Sequence, residues 1–117
     1  MEFEAPLAVV ILNACPQHAL RETRAIILSE AGYYPASAGN ADEANCLAKS
    51  VICSAAIICH SFKPDERRLI QHRIEKVVPA AKIIQLRSWE NNDPLGLLSS
   101  VKEALGEART LNRCGRG

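Results

Sequence analysis

Four apolar runs of strand length are spaced along the chain, and helical periods lie between and after them. Leu7 to Leu12 is continuous and rich in β-branched residues, as expected of a strand covered on both faces. Tyr33 to Ser37 is a weaker strand, with Pro35 directing it to a sheet edge. Ala55 to Cys59 and Lys82 to Leu86 complete the set. Between the first two runs, Pro16 can occupy an opening helical turn; Leu20, Ile27, Leu28 and Ala31 then share a face until Gly32 stops the helix. Asn40 caps a helix over 41–50, with Asp42 and Glu43 placed well against its dipole. Residues 65–78 carry Leu69, Ile70, Ile74, Val77 and Val78 along one side, and Pro79 ends them. Asp93 and Pro94 cap a last helix over 94–111, with Leu98, Val101, Leu105 and Ala108 on one face. The order β-α-β-α-β-α-β-α with short connections predicts an α/β domain, a parallel sheet between two layers of helices.

The 117 residues fit one such domain, read here as 1–111, followed by a flexible basic tail at 112–117. The longest nearly apolar run, Val51 to Cys59, contains Ser54 and falls far short of the roughly 20 residues a membrane span needs. The acidic start Met1-Glu2-Phe3-Glu4 lacks the basic and apolar regions of a secretion signal, so a cytoplasmic location is expected. Net charge is +1, with three basic and six acidic side chains in 1–59 against eleven and seven in 60–117. That asymmetry is mild. Arg67, Arg68 and Arg73 are interleaved with Asp65, Glu66 and Glu75, as on a solvated helix face, and no nucleic-acid or membrane partner is expected. The five cysteines are odd in number and show no C-x-x-C or zinc-ribbon spacing; reduced thiols, several in the core, are the simplest reading.

Several landmarks in order resemble a bacterial response-regulator receiver, the flavodoxin-like phosphorylation module of two-component signalling. They are Val9-Val10-Ile11-Leu12-Asn13-Ala14-Cys15-Pro16, Gly32-Tyr33, Ala38, Glu43-Ala44, His60 with Pro64 four residues later, and a fourth strand at Lys82 to Leu86. The resemblance runs from about Leu7 to Leu105 and implies a three-layer sheet. It also implies that the residues carrying the family's chemistry are gone. The acidic pair that holds magnesium corresponds to Asn13 and Ala14, the phosphoacceptor position is His60, and the switch Ser/Thr aligns with Arg87, beside Ser88. The lysine closing the fifth strand has no counterpart.

Only Ser88-Trp89-Glu90-Asn91-Asn92 separates Arg87 from the cap at Asp93, too few for the family's fourth helix and fifth strand. A four-stranded sheet in the order 2-1-3-4 is therefore expected, with the fourth strand at an open edge. Such an edge offers unpaired backbone groups to another chain. Ile84, Leu86, Trp89, Leu95 and Leu98 are the candidate interface of a homodimer, although Trp89 could instead fold over the edge, where Lys82 and Gln85 would resist pairing.

In that topology strands one and three are neighbours, and Asn13, Cys15, His18 and His60 could meet at the sheet mouth. The plainest reading packs Cys59 in the core and lets His60 cap the strand end. A metal site from Cys15, His18 and His60 is chemically possible, since imidazole and thiolate suit zinc. A Cys59–His60 nucleophile pair is disfavoured because adjacent strand residues point to opposite faces, unless the strand ends before Cys59. His72 is expected on a solvated face. No Gly-rich phosphate loop or H-E-x-x-H motif occurs, and no cofactor is implied.

The sequence thus predicts a stand-alone, non-enzymatic pseudo-receiver, an interaction module independent of phosphorylation. Its expected partners are a histidine kinase or another regulator, and a second copy of itself. The alternatives are a small-ligand or metal sensor at the Cys/His mouth and a thiol-dependent enzyme in which the Cys59 pKa is depressed.

Overall fold

A computed structural model describes residues 9–86 and 94–106. The strands are β1 (Val10–Ala14), β2 (Tyr34–Ala38), β3 (Ala55–Ile58) and β4 (Lys82–Gln85). They alternate with helices α1 (His18–Glu30), α2 (Ala41–Ser50), α3 (Pro64–Val77) and α4 (Pro94–Leu105). All pairings are parallel, in the order β2-β1-β3-β4. The expected flavodoxin-like architecture is the observed one. Leu7, Ala8, residues 87–93 and everything after Gly106 lie outside the described residues, including Arg87, Trp89 and the 112–117 tail.

The pleat sorts side chains into two cores. Leu12, Ala14, Ala38, Ala56 and Ile58 pack with Ala44, Ala48, Ile70 and Ile74 of α2 and α3. Ile11, Ala55, Ile57 and Ile84 pack on the other face with Leu28 of α1 and Leu97 and Val101 of α4. Fully burying each large aliphatic side chain is worth about 1.5–3 kcal/mol, so both layers of helices are firmly held. Asn40 Oδ1 accepts the Glu43 N–H at 2.8 Å, the cap its sequence announces. Arg73 of α3 reaches Asp42 of α2 at 3.2 Å.

Several boundaries and faces depart from the sequence reading. β1 continues through Asn13 and Ala14, because ladder pairing with Ser37 and Ile57, then Ala38 and Ile58, carries the strand past its apolar run. β3 stops at Ile58. The buried stripe of α4 centres on Leu97 and Val101, with Leu98 half-buried. Ala31 is exposed at the end of α1, and Leu69 is 39% exposed where it lines an open groove with Asn40, Asp42, Asp65 and Glu66. Ile84 and Leu86, expected at an interface, are buried beneath α4 within the same chain. The short connection lets α4 take the place of the missing elements over β4. Leu95, by contrast, is 78% exposed. Among the described residues β4 still has a neighbour on one side only, and no helix is long and apolar enough to cross a membrane.

Helix α1 closes on Gly32 at φ +97°. The Gly32 N–H bonds the Ser29 carbonyl at 3.0 Å and the Tyr33 N–H bonds that of Leu28 at 3.0 Å, while Leu28 and Tyr33 share a core. A Cβ at Gly32 would meet nothing within 4 Å, so its cost is purely conformational. Gly32→Ala is expected to lower unfolding stability by about 1 kcal/mol, read as a fall in urea midpoint at unchanged slope.

Candidate functional site

Sheet topology locates the site. The chain leaves β1 toward β2 on one side and returns through α2 to β3 on the other, so strand order reverses between β1 and β3. Crevices that bind ligands in open α/β sheets form at the carboxyl ends of strands at such a point. Ala14 is in register with Ile58, and the residue that follows each strand is a cysteine. Cys15 and Cys59 are both fully buried, with the Cys15 thiol donating to Cys59 Sγ at 3.3 Å. Cys15 Sγ also lies 3.6 Å from the Gln17 carbonyl, and the Ser61 N–H donates to Cys59 Sγ at 3.4 Å.

Asn13 faces α1 from within the strand. Its Nδ2 donates to the Arg21 carbonyl at 3.0 Å and to Ser37 Oγ at 3.2 Å, which ties β1, α1 and β2 together. Arg21 turns back to donate to the Cys15 carbonyl at 2.8 Å and meets His18 Nδ1 at 3.2 Å. One turn further along α1, Arg24 is 1% exposed, and none of its three guanidinium nitrogens has a hydrogen-bond partner among the described residues. A guanidinium does not lose its proton in a protein, so this is a standing buried charge.

Its influence is felt at the two thiols. Cys59 is lowered from the ordinary value of 9.0 to about 4, chiefly by the hydrogen bond from Cys15, against the cost of burial and with help from Ser61 and Arg24. Cys15 moves the opposite way: donating its proton to Cys59 and being buried both hold it as a neutral thiol, although Arg24 pulls it down. The hydrogen bond between the two thiols thus favours the proton on Cys15 and the charge on Cys59. Burial pushes Cys53 upward, away from ionisation.

Solved structures similar to this chain include a CheY-like response regulator receiver domain protein from Methanospirillum hungatei JF-1. The match has a TM-score of 0.74 and 21% identity, and covers 89% of this chain and 98% of that one. A response regulator protein from Burkholderia pseudomallei, solved with a phosphorylated aspartic acid, a calcium ion and citrate, matches with a TM-score of 0.61 and 19% identity. There the coverage is 79% of this chain and 55% of that one. The fold is that of a receiver domain. No protein-family model matches the sequence, and no curated protein matches it either.

In this receiver fold the mouth brings together a different set of residues from the expected one. Asn13, Ala14, Cys15 and Cys59 are buried there, and His60 is half-exposed one residue beyond the register pair. His60 Nδ1 lies 3.9 Å from Cys59 Sγ. The alternation that would separate them does not apply, because β3 ends before Cys59 and a turn begins. His18 is exposed on α1 and bonded to Arg21, and His72 is exposed on α3. Among the described residues no three His, Cys, Asp or Glu side chains are placed to hold a metal ion, so Cys15, His18 and His60 do not assemble the possible metal cluster. Arg24 was not anticipated. Its signal was nevertheless present: it stands between Leu20 and Leu28 at helical spacing, a cation within an apolar stripe.

The two shifts set a pH window. The lowered Cys59 value contributes stability that is complete above the unfolded thiol range near 9.0 and lost as pH falls toward about 4. The raised value of Cys15 contributes stability below that range and loses it above. The melting-temperature difference between wild type and Cys59→Ser is therefore expected to change in favour of wild type as pH rises from about 5 to about 8. A difference constant across that range would contradict the ionised thiol.

Proposed function

We propose that this chain is a signal-transduction module of the receiver fold that works without aspartyl phosphate, by binding other proteins. One observation carries the reading: the ends of β1 and β3 supply Asn13, Ala14, Cys15, Cys59, His60 and Ser61, with no carboxylate among them. Phosphoryl transfer in a receiver relies on carboxylates to hold a divalent cation that offsets phosphoryl charge. The Burkholderia protein was solved with calcium and a phosphorylated aspartate. Here the Asn13 amide is already engaged by Arg21 and Ser37. A methyl group follows it, and a thiol pair occupies the next register position.

On this reading the module is non-enzymatic and cytoplasmic. It answers to a histidine kinase or another regulator of a two-component-type system through shape alone. A second copy of the chain is the other proposed partner. The side of β4 that has no neighbouring strand among the described residues and the exposed Leu95 support that contact, with Ile84 and Leu86 kept in the core.

Incubation with acetyl phosphate and magnesium is expected to leave the intact mass unchanged. Stoichiometric gain of one phosphoryl group at any residue would overturn the reading. Native mass spectrometry at two protein concentrations is expected to show a dimer that Leu95→Glu returns to monomer. A monomer at both concentrations would remove the self-association and leave the other protein partners.

A further inference from the structure

Buried ionic groups persist in folded proteins when a counter-charge accompanies them, since an unpaired ion costs several kcal/mol. No carboxylate pairs with Arg24 among the described residues. The groups that face the thiol pair are Arg24 from α1, Arg21 on the Cys15 carbonyl, the His60 imidazole and the Ser61 amide. Arg24 is a cation and the Ser61 amide a donor, while the Gln17 carbonyl, 3.6 Å from Cys15 Sγ, accepts from the thiol that keeps its proton. We propose that Cys15 and Cys59, side by side at the mouth with their sulfurs 3.3 Å apart, form a dithiol that small hydroperoxides oxidise to a disulfide. This assignment goes beyond the phosphorylation-independent reading and does not depend on it.

Backbone geometry suits the bond. Cys15 and Cys59 follow a register pair on adjacent parallel strands, and the Cys59 N–H bonds the Ala14 carbonyl at 3.1 Å. Neighbouring strands lie about 4.8 Å apart, within the Cα separation of about 4.4–6.8 Å that a disulfide spans. The sulfurs are already at 3.3 Å. Both thiols are fully buried, although their chain neighbours Pro16, Gln17 and His18 are exposed and His60 and Ser61 are half-exposed. Burial of that kind favours a reagent little larger than water over a bulky one.

The chemistry balances in two steps. Cys59 thiolate attacks one peroxide oxygen, an S–O bond forms, the O–O bond breaks, and hydroxide leaves to take a proton from solvent. Cys59 is now a sulfenic acid, oxidised by two electrons while the peroxide is reduced. Cys15 then attacks the Cys59 sulfur, the S–O bond breaks, and the departing hydroxide takes the Cys15 proton and leaves as water. The disulfide is neutral, so oxidation removes the anion beside Arg24.

The test treats the reduced full chain with hydrogen peroxide, traps free thiols by alkylation after denaturation, and maps the products by mass spectrometry. Loss of two hydrogens with Cys15 linked to Cys59 is expected, at a rate nearly constant from about pH 5 to about pH 8. Over the same range a small free thiol speeds up roughly tenfold per pH unit. Cys15→Ser is expected to hold Cys59 as a sulfenic acid that dimedone captures, and Arg24→Met to slow the reaction most at the acid end. Free Cys15 and Cys59 after the exposed Cys46 has been oxidised would overturn the proposal. So would a rate for the pair that climbs with pH like that of the free thiol.

Discussion

A guanidinium that cannot be discharged lies under α1, and no carboxylate among the described residues answers it. That constraint organises the mouth of the sheet. Arg24 can remain buried only where something nearby accepts charge, and the register of β1 with β3 delivers two sulfurs side by side at that end. Hydrogen bonding then pulls them apart, raising Cys15 as a neutral thiol and lowering Cys59. The mouth of this receiver fold therefore sets a fixed cation from a helix beside two sulfurs, one of them the proposed anion.

The rest of the fold serves to hold that arrangement still. Small side chains at Ala38, Ala44, Ala48 and Ala56 allow α2 to seat closely on the sheet, and α4 covers Ile57, Ile84 and Leu86 on the other face. Asn13 ties β1 to α1 and β2 through its amide, and Arg21 ties α1 to the Cys15 carbonyl. Each contact fixes the register of α1 against the strands. A slide of α1 would carry Arg24 away from the thiols, which links the electrostatics of the mouth to the packing of the layer above it.

Much of the architecture was legible because each signal was local. Asn40 with its following acids marked the start of α2, Gly32 marked the stop of α1, and alternation of apolar runs with helical periods gave the layers. The end of β1 was not legible from hydrophobicity, since ladder hydrogen bonds carry polar Asn13 into the sheet. The burial of Ile84 and Leu86 was missed for a different reason. Whether an edge strand is covered depends on where α4 returns, and the connection length alone left that undetermined. Residue types alone suggest a core Cys59 with a capping His60, and allow Cys15, His18 and His60 as metal ligands. What assembled instead depended on register, which placed Cys59 opposite Cys15, and on one cation in the stripe of α1.

The central claim is that Cys59 is ionised in the native protein at neutral pH. Ultraviolet thiolate absorbance, taken as the difference between the reduced wild type and Cys59→Ser across a pH titration, tests it directly. The account expects about one thiolate of difference at pH near 6, disappearing only as pH approaches about 4. A difference that emerges only above about pH 8, as for an ordinary cysteine, would contradict it.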